Sequence, residues 1–328
     1  VLMEIFMRKI LLASTALVAA AGVSAASADG HITFSGGADF EYISISDDQT
    51  DNTTAGENGT SMGTTGDLAA AWSTTTDTGL AISVDFDIDS PSATMSIAGD
   101  WGTFTFDQGN EAMGTGAGDA DSVSNMRFGM VAEYEGGEAI GGGDIAYSNT
   151  LGPISFAIGM GDGGTGSEAN ETSYGVSYSA SVNGADVSLG YAAGSTGSAN
   201  TAVASTDLNA SSMNIGVTVG AIGVSMAQNA EKADRNDDNA SGAGTTDLDS
   251  TNFGLTYAVS DSLTLEAASV AASGTIAGDA TYKYDESAYG ISYTIASGLD
   301  LKVSYSDFTQ SGGAAITDTS GSATMVEL

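Results

Sequence analysis

The sequence predicts an all-β protein, a transmembrane antiparallel β-barrel of about sixteen strands, from three observations. Apolar residues recur at every second position, the connections between these segments are sorted by length, and an export signal precedes them. Soluble sandwiches also alternate, but they seldom repeat such segments along a whole exported chain. No 3.6-residue periodicity of useful length follows residue 28, which argues against a helical fold.

The first 28 residues have the order of a secretory signal peptide. Residues 7–9 supply a cationic start, residues 10–21 an apolar run, and residues 26–28 a small-residue cleavage site. Cleavage between Ala28 and Asp29 would leave residues 29–328 as one barrel domain. Residues 1–6 are interpreted as a start-site artefact. A retained membrane anchor would need roughly 20 apolar residues, and the run gives way to Ala, Gly and Ser before that length.

The composition excludes several kinds of chemistry and partner. The chain contains no cysteine, which rules out disulfides, zinc–thiolate sites and thiol catalysis. Loss of the signal removes Glu4, Arg8 and Lys9, leaving 41 of the 42 acidic residues against 5 of the 7 basic ones. A surface with this charge repels nucleic acid and anionic lipid headgroups.

The strands follow from the alternation and the connections that interrupt it. Residues 80–89 carry apolar side chains at even positions and small or acidic ones at odd positions, and residues 154–160, 187–191 and 299–305 alternate similarly. Short turns are predicted at 76–79, 99–102, 150–153, 181–184, 220–221, 259–262 and 296–298. The other connections are predicted at 47–63, 90–92, 109–142, 161–170, 194–208, 230–249, 272–284 and 309–321, mostly long and polar. Fifteen connections separate sixteen strands.

This arrangement predicts a sheet that closes on itself in a membrane. Lipid cannot satisfy free backbone groups, so a spanning sheet needs a closed barrel, and about 9–11 tilted residues per strand cross the bilayer. A barrel of about sixteen strands is wide enough to hold water. We expect Leu80, Val84 and Phe86 to meet lipid and Asp85 and Asp87 to face the lumen.

Four segments carry a resemblance to a known family. They are ITFSG at 32–36, TDTGL at 76–80, GDWGTFTFD at 99–107, and the hairpin of YS at 147–148 with GPISF at 152–156. Over nearly all of its mature length the chain resembles the sixteen-stranded trimeric general porins of the alphaproteobacterial type. The resemblance implies a homotrimer in the outer membrane of a Gram-negative bacterium, which passes small hydrophilic solutes by passive diffusion.

The resemblance also implies that a long third loop, residues 109–142, folds into the lumen and narrows the pore. The charged residues expected at this constriction are Glu111, Asp119, Asp121, Arg127, Glu133, Glu135 and Glu138. In similar porins such carboxylates face an arginine cluster on the barrel wall. This chain departs from that pattern, because its other mature basic residues are only Lys232, Arg235, Lys283 and Lys302. We expect Lys232 and Arg235 in a loop and Lys302 on the lumen wall.

The sequence therefore predicts an excess of carboxylates along the pore. The acidic residues expected on the lumen wall of the early strands are Asp39, Glu41, Asp67, Asp85, Asp87 and Asp107. Because low-dielectric walls focus the field of such charges, cations would be concentrated and the channel would be cation-selective. A solute-specific outer-membrane channel is an alternative.

Other sites and classes receive less support. No cofactor is predicted, although Asp234, Asp237 and Asp238 could bind calcium in an acidic loop; a hydrated loop explains the same cluster. A soluble secreted Gly- and Asp-rich calcium-binding β-protein would need a fixed short repeat, which the chain lacks beyond residues 159–166.

Catalysis is not expected. The only histidine, His31, lies near the mature N-terminus without a recognisable Ser or Asp partner motif. The last residues, 324–328, alternate like a final strand but lack the aromatic end common in this class. We expect either that Leu328 closes the barrel or that the sequence is a few residues short.

Overall fold

The computed structural model describes residues 31–47, 59–88, 93–107, 145–161, 170–197, 205–236, 244–276, 280–312 and 318–328. Within these ranges the chain forms sixteen strands, and it contains no helix long and apolar enough to cross a membrane. The strands are β1 (His31–Asp47), β2 (Gly59–Thr75), β3 (Ala81–Asp87), β4 (Ala93–Gly99), β5 (Gly102–Asp107), β6 (Ile145–Leu151), β7 (Ile154–Gly161), β8 (Asn170–Val182), β9 (Ala185–Gly197), β10 (Ser205–Val219), β11 (Ile222–Asn236), β12 (Gly244–Ser260), β13 (Leu263–Ile276), β14 (Ala280–Ala296), β15 (Leu299–Ser311) and β16 (Thr319–Glu327).

The sheet closes into an antiparallel barrel in which each strand pairs with its neighbours in sequence. The last strand returns to the first, with Glu41 opposite Glu327 and Asp47 opposite Gly321. Two backbone hydrogen bonds continue this pairing beyond the end of β16: Phe40 N–H donates to Leu328 O at 2.8 Å, and Leu328 N–H donates to Phe40 O at 2.9 Å. The predicted fold class and strand number are confirmed, and Leu328 takes part in closure.

The predicted short turns connect the strands where expected. Between β8 and β9 the turn consists of Asn183 and Gly184, whose φ angles are 53° and 83°. Both residues of a type I′ hairpin turn need positive φ, which Asn and Gly adopt most easily. Between β2 and β3, the backbone carbonyl of Thr76 accepts a hydrogen bond from Gly79 N–H at 2.9 Å. The Thr76 hydroxyl accepts a second one from Leu80 N–H at 3.0 Å.

The long connections are shorter than the sequence predicted. Strands β9 to β16 extend well into the segments expected as polar loops: only residues 198–204, 237–243, 277–279 and 312–318 lie between them there. The prediction failed because apolar and polar residues continue to alternate in these segments. Their phase is reversed, so that the apolar residues lie at the inward positions and the polar ones at the outward positions.

The phase reversal divides the barrel wall into two zones. On β14, the exposed Tyr289, Ile291 and Tyr293 point outward near the short turn, whereas further along the strand Tyr282 and Tyr284 are buried inside. The part of the wall whose outward side chains are apolar is called the membrane zone. The part of the wall whose outward side chains are polar is called the crown; it comprises 209–211 of β10, 228–232 of β11, 247–252 of β12, 268–275 of β13, 282–288 of β14 and 306–311 of β15.

The crown is polar on its outer face, and its interior combines a buried apolar cluster with buried polar side chains such as Asn252 and Glu286. Its buried cluster consists of Leu248, Ala268, Val270, Ala272, Tyr282, Tyr284, Ala288 and Phe308. A strand that leaves the bilayer meets water on its outer face. Outward apolar side chains are then exposed to water, which is unfavourable, whereas inward apolar side chains are removed from it. The reversal therefore marks the edge of the lipid-facing band.

The face assignment predicts a contrast between two neighbouring residues of β3. Val84 lies on the apolar outer face between Trp72 and Met95, and Ser83 lies on the inner face between Ser73 and Ser96. Val84→Arg is expected to lower the free energy of unfolding in lipid bilayers by about 2–4 kcal/mol, because the guanidinium enters hydrocarbon. Ser83→Arg, the matched control, should cost much less. Equal losses in urea titrations of the two variants would contradict the assignment.

Candidate functional site

The lumen wall of the membrane zone is the candidate site, because the side chains there line the path through the barrel. Along each strand the inward positions alternate with the apolar outward ones. On β1 the outward Ile32 and Phe34 are exposed, so Asp39 and Glu41, at the other parity, face the lumen. The same reasoning places Asp67, Asp85 and Asp87 inside.

These carboxylates lie on one side of the barrel, from β13 through β16 and β1 to β3, and we call them the acidic wall. It comprises Asp39 and Glu41 on β1, Asp67 on β2, Asp85 and Asp87 on β3, Glu327 on β16 and Glu266 on β13. On β3, Asp85 lies opposite Ala71 and Asp87 opposite Ala69, and both aspartates are exposed. Small cross-strand neighbours thus leave these carboxylates in contact with the lumen.

Asp67 lies over the neighbouring strand. Its Oδ1 accepts a hydrogen bond from the backbone N–H of Gly37 at 3.1 Å. The two residues are directly opposite in the register, and a Cβ on residue 37 would lie 3.1 Å from the same oxygen. Glycine therefore provides the space in which this carboxylate is held.

A single lysine lies among these carboxylates near the seam. Glu41 and Glu327 are directly opposite across β1 and β16, a like-charged pair that repels. On the other side of Glu327, Lys302 Nζ lies 3.1 Å from Glu327 Oε1. Of the side chains that the structure describes, Lys302 is the only lysine or arginine on the lumen wall, and it is already paired.

Sequence reasoning missed two members of the acidic wall. Glu266 follows the outward Leu265, lies opposite Thr256 and Gly290, and is half-buried. Its inward parity was readable from the sequence. Glu327 was missed because its position depends on how the last strand closes against β1.

The opposite wall, on β6 to β12, has a different character. Within the described membrane zone its inward side chains are Ser, Thr, Gly, Ala and Asn, apart from Asp186 beside the turn between β8 and β9. A cavity of about 600 Å³ opens on this wall and is lined by several hydroxyl groups, including those of Ser179, Ser188 and Thr218. Ser181 Oγ donates a hydrogen bond to Asp186 Oδ1 in the same cavity. The lumen is therefore acidic on one side and neutral on the other.

Other predicted residues are outside the described part of the chain or at the end of a strand. The expected constriction residues, Glu111, Asp119, Asp121, Arg127, Glu133, Glu135 and Glu138, are outside the described residues, as are Asp237, Asp238 and the cleavage site at Ala28 and Asp29. Asp107 ends β5 at the register position opposite Thr94. His31 begins β1 opposite Ser73.

The expectation of Lys232, Arg235 and Asp234 in a loop was wrong. All three belong to β11, because the strand continues to Asn236. Lys232 is outward-facing, and its Nζ lies 4.0 Å from Oδ2 of Asp247 on β12. Within the described ranges no three His, Cys, Asp or Glu residues are grouped to hold a metal ion, and calcium binding at Asp234, Asp237 and Asp238 stays a prediction.

Sequence comparison identifies one matching family. A family described as Gram-negative porin has a sequence model that matches residues 13–313. No curated protein matches the chain in sequence at a significant level.

Solved structures of outer-membrane proteins share the fold at low sequence identity. A loop L8 deletion mutant of OmpT, an outer membrane protein of Vibrio cholerae, is 15% identical with a TM-score of 0.64, covering 91% of this chain and 99% of its own. The outer membrane channel DcaP of Acinetobacter baumannii is 13% identical with a TM-score of 0.61, covering 94% and 99%. An anion-selective porin from Comamonas acidovorans is 13% identical with a TM-score of 0.59, covering 91% and 99%. The barrel is thus of a known type, and one of the similar structures is an anion-selective porin.

Proposed function

Because this chain belongs to the Gram-negative porin family, and is therefore an outer-membrane channel for passive diffusion, we propose that its water-filled pore is cation-selective. The single observation that carries this proposal is the acidic wall. It brings together seven carboxylates, from Asp39 to Glu327, with Lys302 as the one described basic partner.

The asymmetry of the lumen supports a cation preference rather than a balanced field. A wall of positive charge opposite the carboxylates would attract anions on its own side, but the inward side chains that the structure describes on β6 to β12 are neutral apart from Asp186 and, in the crown, Glu231. Carboxylates above a low-dielectric wall raise the local concentration of cations about tenfold or more. Small neutral solutes would pass without such a preference.

Reversal potentials across planar bilayers test the proposal. In a KCl gradient, single channels of the refolded chain should give a potential of the sign set by K⁺. The preference should weaken at high salt, because the Debye length falls from about 10 Å at 0.1 M to about 3 Å at 1 M. A potential of the opposite sign would refute cation selectivity and leave the porin assignment intact.

A solute-specific channel is the second candidate. It is favoured by the hydroxyl-lined cavity of about 600 Å³ on the neutral wall, since convergent hydroxyl groups can bind a polar solute. Liposome-swelling rates for neutral solutes of graded size distinguish the two: a general pore gives a smooth decline with size, and a specific one gives an outlier.

The assembly is proposed to be a homotrimer. A trimer form has been solved for the similar OmpT of Vibrio cholerae, 14% identical with a TM-score of 0.63. Native mass measurement of the refolded protein in detergent tests this state.

A further inference from the structure

The cavity of about 600 Å³ on the neutral wall is built from two adjacent rows of inward residues. Cross-strand pairing joins Ser179, Ser188, Gly216 and Ser225 in one row, and Ser181, Asp186, Thr218, Gly223 and Thr256 in the next. All of these residues line the cavity, and we call them the hydroxyl site. The cavity is also bordered by Ala180, Val187, Val217 and Val224. The period of two along a strand directs the side chains of these four residues to the outer face.

Each row contains one glycine, and hydroxyl groups lie close to both glycines. A Cβ on residue 216 would lie 2.5 Å from Ser188 Oγ. A Cβ on residue 223 would lie 2.5 Å from Thr256 Oγ1 and 3.4 Å from Thr218 Oγ1. Any larger side chain at these positions would displace the hydroxyl groups and fill the cavity. The glycines therefore leave bare backbone as the floor of the site, with hydroxyl groups beside it.

The hydroxyl site contains a single carboxylate. Asp186 is the one charged residue of the cavity lining that the structure describes. Ser181 Oγ donates a hydrogen bond to Asp186 Oδ1, and this bond leaves Oδ2 as an acceptor for a ligand. Asp186, Ser188 and Thr218 are all exposed on the lumen wall. A solute in the pore can therefore reach both the carboxylate and the hydroxyl groups.

This lining matches the chemistry of a neutral polyhydroxylated solute. Serine and threonine hydroxyls both donate and accept hydrogen bonds, as sugar hydroxyls do, and a carboxylate accepts hydrogen bonds from neighbouring hydroxyls. An anion would meet Asp186 without a basic partner in the described lining. A divalent cation prefers several carboxylate oxygens, whereas this site supplies one carboxylate. The cavity volume lies within the range of about 300–1,000 Å³ that is usual for small-molecule sites.

We propose that the hydroxyl site binds a monosaccharide. Neighbouring sugar hydroxyls donate to Asp186 Oδ2, other sugar hydroxyls bond to Ser188 and Thr218, and the ring lies over the backbone at Gly216 and Gly223. The inference names the solute class for the second candidate function, and it rests on the proposal that the pore is water-filled. It does not depend on the ion selectivity of the pore.

Single-channel recording of the refolded barrel tests the inference with D-glucose as the probe. Triethylene glycol is the control solute, because it is of similar size but has ether oxygens in place of most hydroxyl donors. Glucose should interrupt the ion current in a concentration-dependent manner, and the interruptions give its Kd. Triethylene glycol at the same concentration should lower the current only through its effect on the viscosity.

Two substitutions change the hydroxyl site itself. Asp186→Asn should raise the Kd for glucose about tenfold, because a charge-assisted hydrogen bond is replaced by a neutral one. Gly216→Val should abolish the interruptions, because its side chain occupies the floor of the site and displaces the Ser188 hydroxyl.

Two control variants make the same chemical changes outside the hydroxyl site. Asp300→Asn alters a carboxylate beside the short turn between β14 and β15. Gly63→Val alters a glycine of β2 at which a Cβ would meet no atom within 4 Å. Both variants should bind glucose like the unmodified chain. Heat-modifiable gel mobility verifies that each variant is folded.

Two results would overturn the inference: equal interruption by triethylene glycol, and equal loss of glucose binding in the two control variants. Liposome swelling separates these results from a failure of the second candidate function. If glucose interrupts the current but enters liposomes at the rate that its size predicts, the site is retained and only the solute-specific channel is refuted. Reversal potentials recorded on the same channels test cation selectivity independently.

Discussion

Replacing Asp67, Asp85 and Asp87 by lysine together is expected to reverse the ion preference of the pore. The three aspartates are exposed members of the acidic wall on neighbouring strands, and the substitution changes the local charge by six units. Because the field near a low-dielectric wall alters local ion concentrations about tenfold or more, the reversal potential in a KCl gradient should change sign. Single-channel recording of the triple variant measures this directly.

The control for this experiment changes the same charge on the other face of the barrel. Asp249, Asp285 and Asp307 are exposed, outward-facing carboxylates of the crown. Their replacement by lysine should leave the sign of the reversal potential unchanged, since water screens charges outside the lumen. If the outer triple variant shifted the potential as much as the inner one, selectivity would derive from overall charge and the acidic wall would have no special role.

Phe308→Ala is expected to give the largest loss of stability among single core substitutions. Phe308 is 2% exposed and packs in the buried cluster of the crown with Val270, Tyr282 and Tyr284. Truncation of a buried phenylalanine removes apolar contacts and leaves a cavity, at a cost of about 3–5 kcal/mol. Guanidinium titrations in detergent, monitored by tryptophan fluorescence, measure the change in the free energy of unfolding.

Phe86→Ala on β3 is the matched control. Phe86 is 46% exposed on the outer face, so its removal creates no enclosed cavity and should cost clearly less. Equal losses for the two variants would show that the crown interior is not a packed core. Phe308→Leu keeps most of the volume and should recover much of the stability.

Much of the barrel was predictable from local patterns. In β3 the alternation of Val84 with Asp85 assigns both faces, because a strand has a side-chain period of two. The Asn183–Gly184 pair specifies a tight hairpin by its positive φ angles. The lumen-side parity of Lys302 was readable from its apolar neighbours Leu301 and Val303.

The crown was missed for a physical reason that the pattern alone does not reveal. The segment from Tyr282 to Ala288 alternates with its apolar residues at even positions, whereas Tyr289 to Tyr293 alternates with them at odd positions. A phase reversal can equally mark the end of a strand. In β14 the strand continues through the reversal, because pairing with β13 and β15 satisfies the backbone hydrogen bonds of this segment.

The amino-acid sequence by itself determined the two faces of each strand in the membrane zone, the number of strands and the positions of the short turns. These depend on interactions within a few residues, so a linear pattern records them. Only the tertiary structure decided the pairing of Glu41 with Glu327 and the contact of Lys302 with Glu327. These features join residues far apart in the chain, and their geometry exists only after the sheet has closed and its register is set.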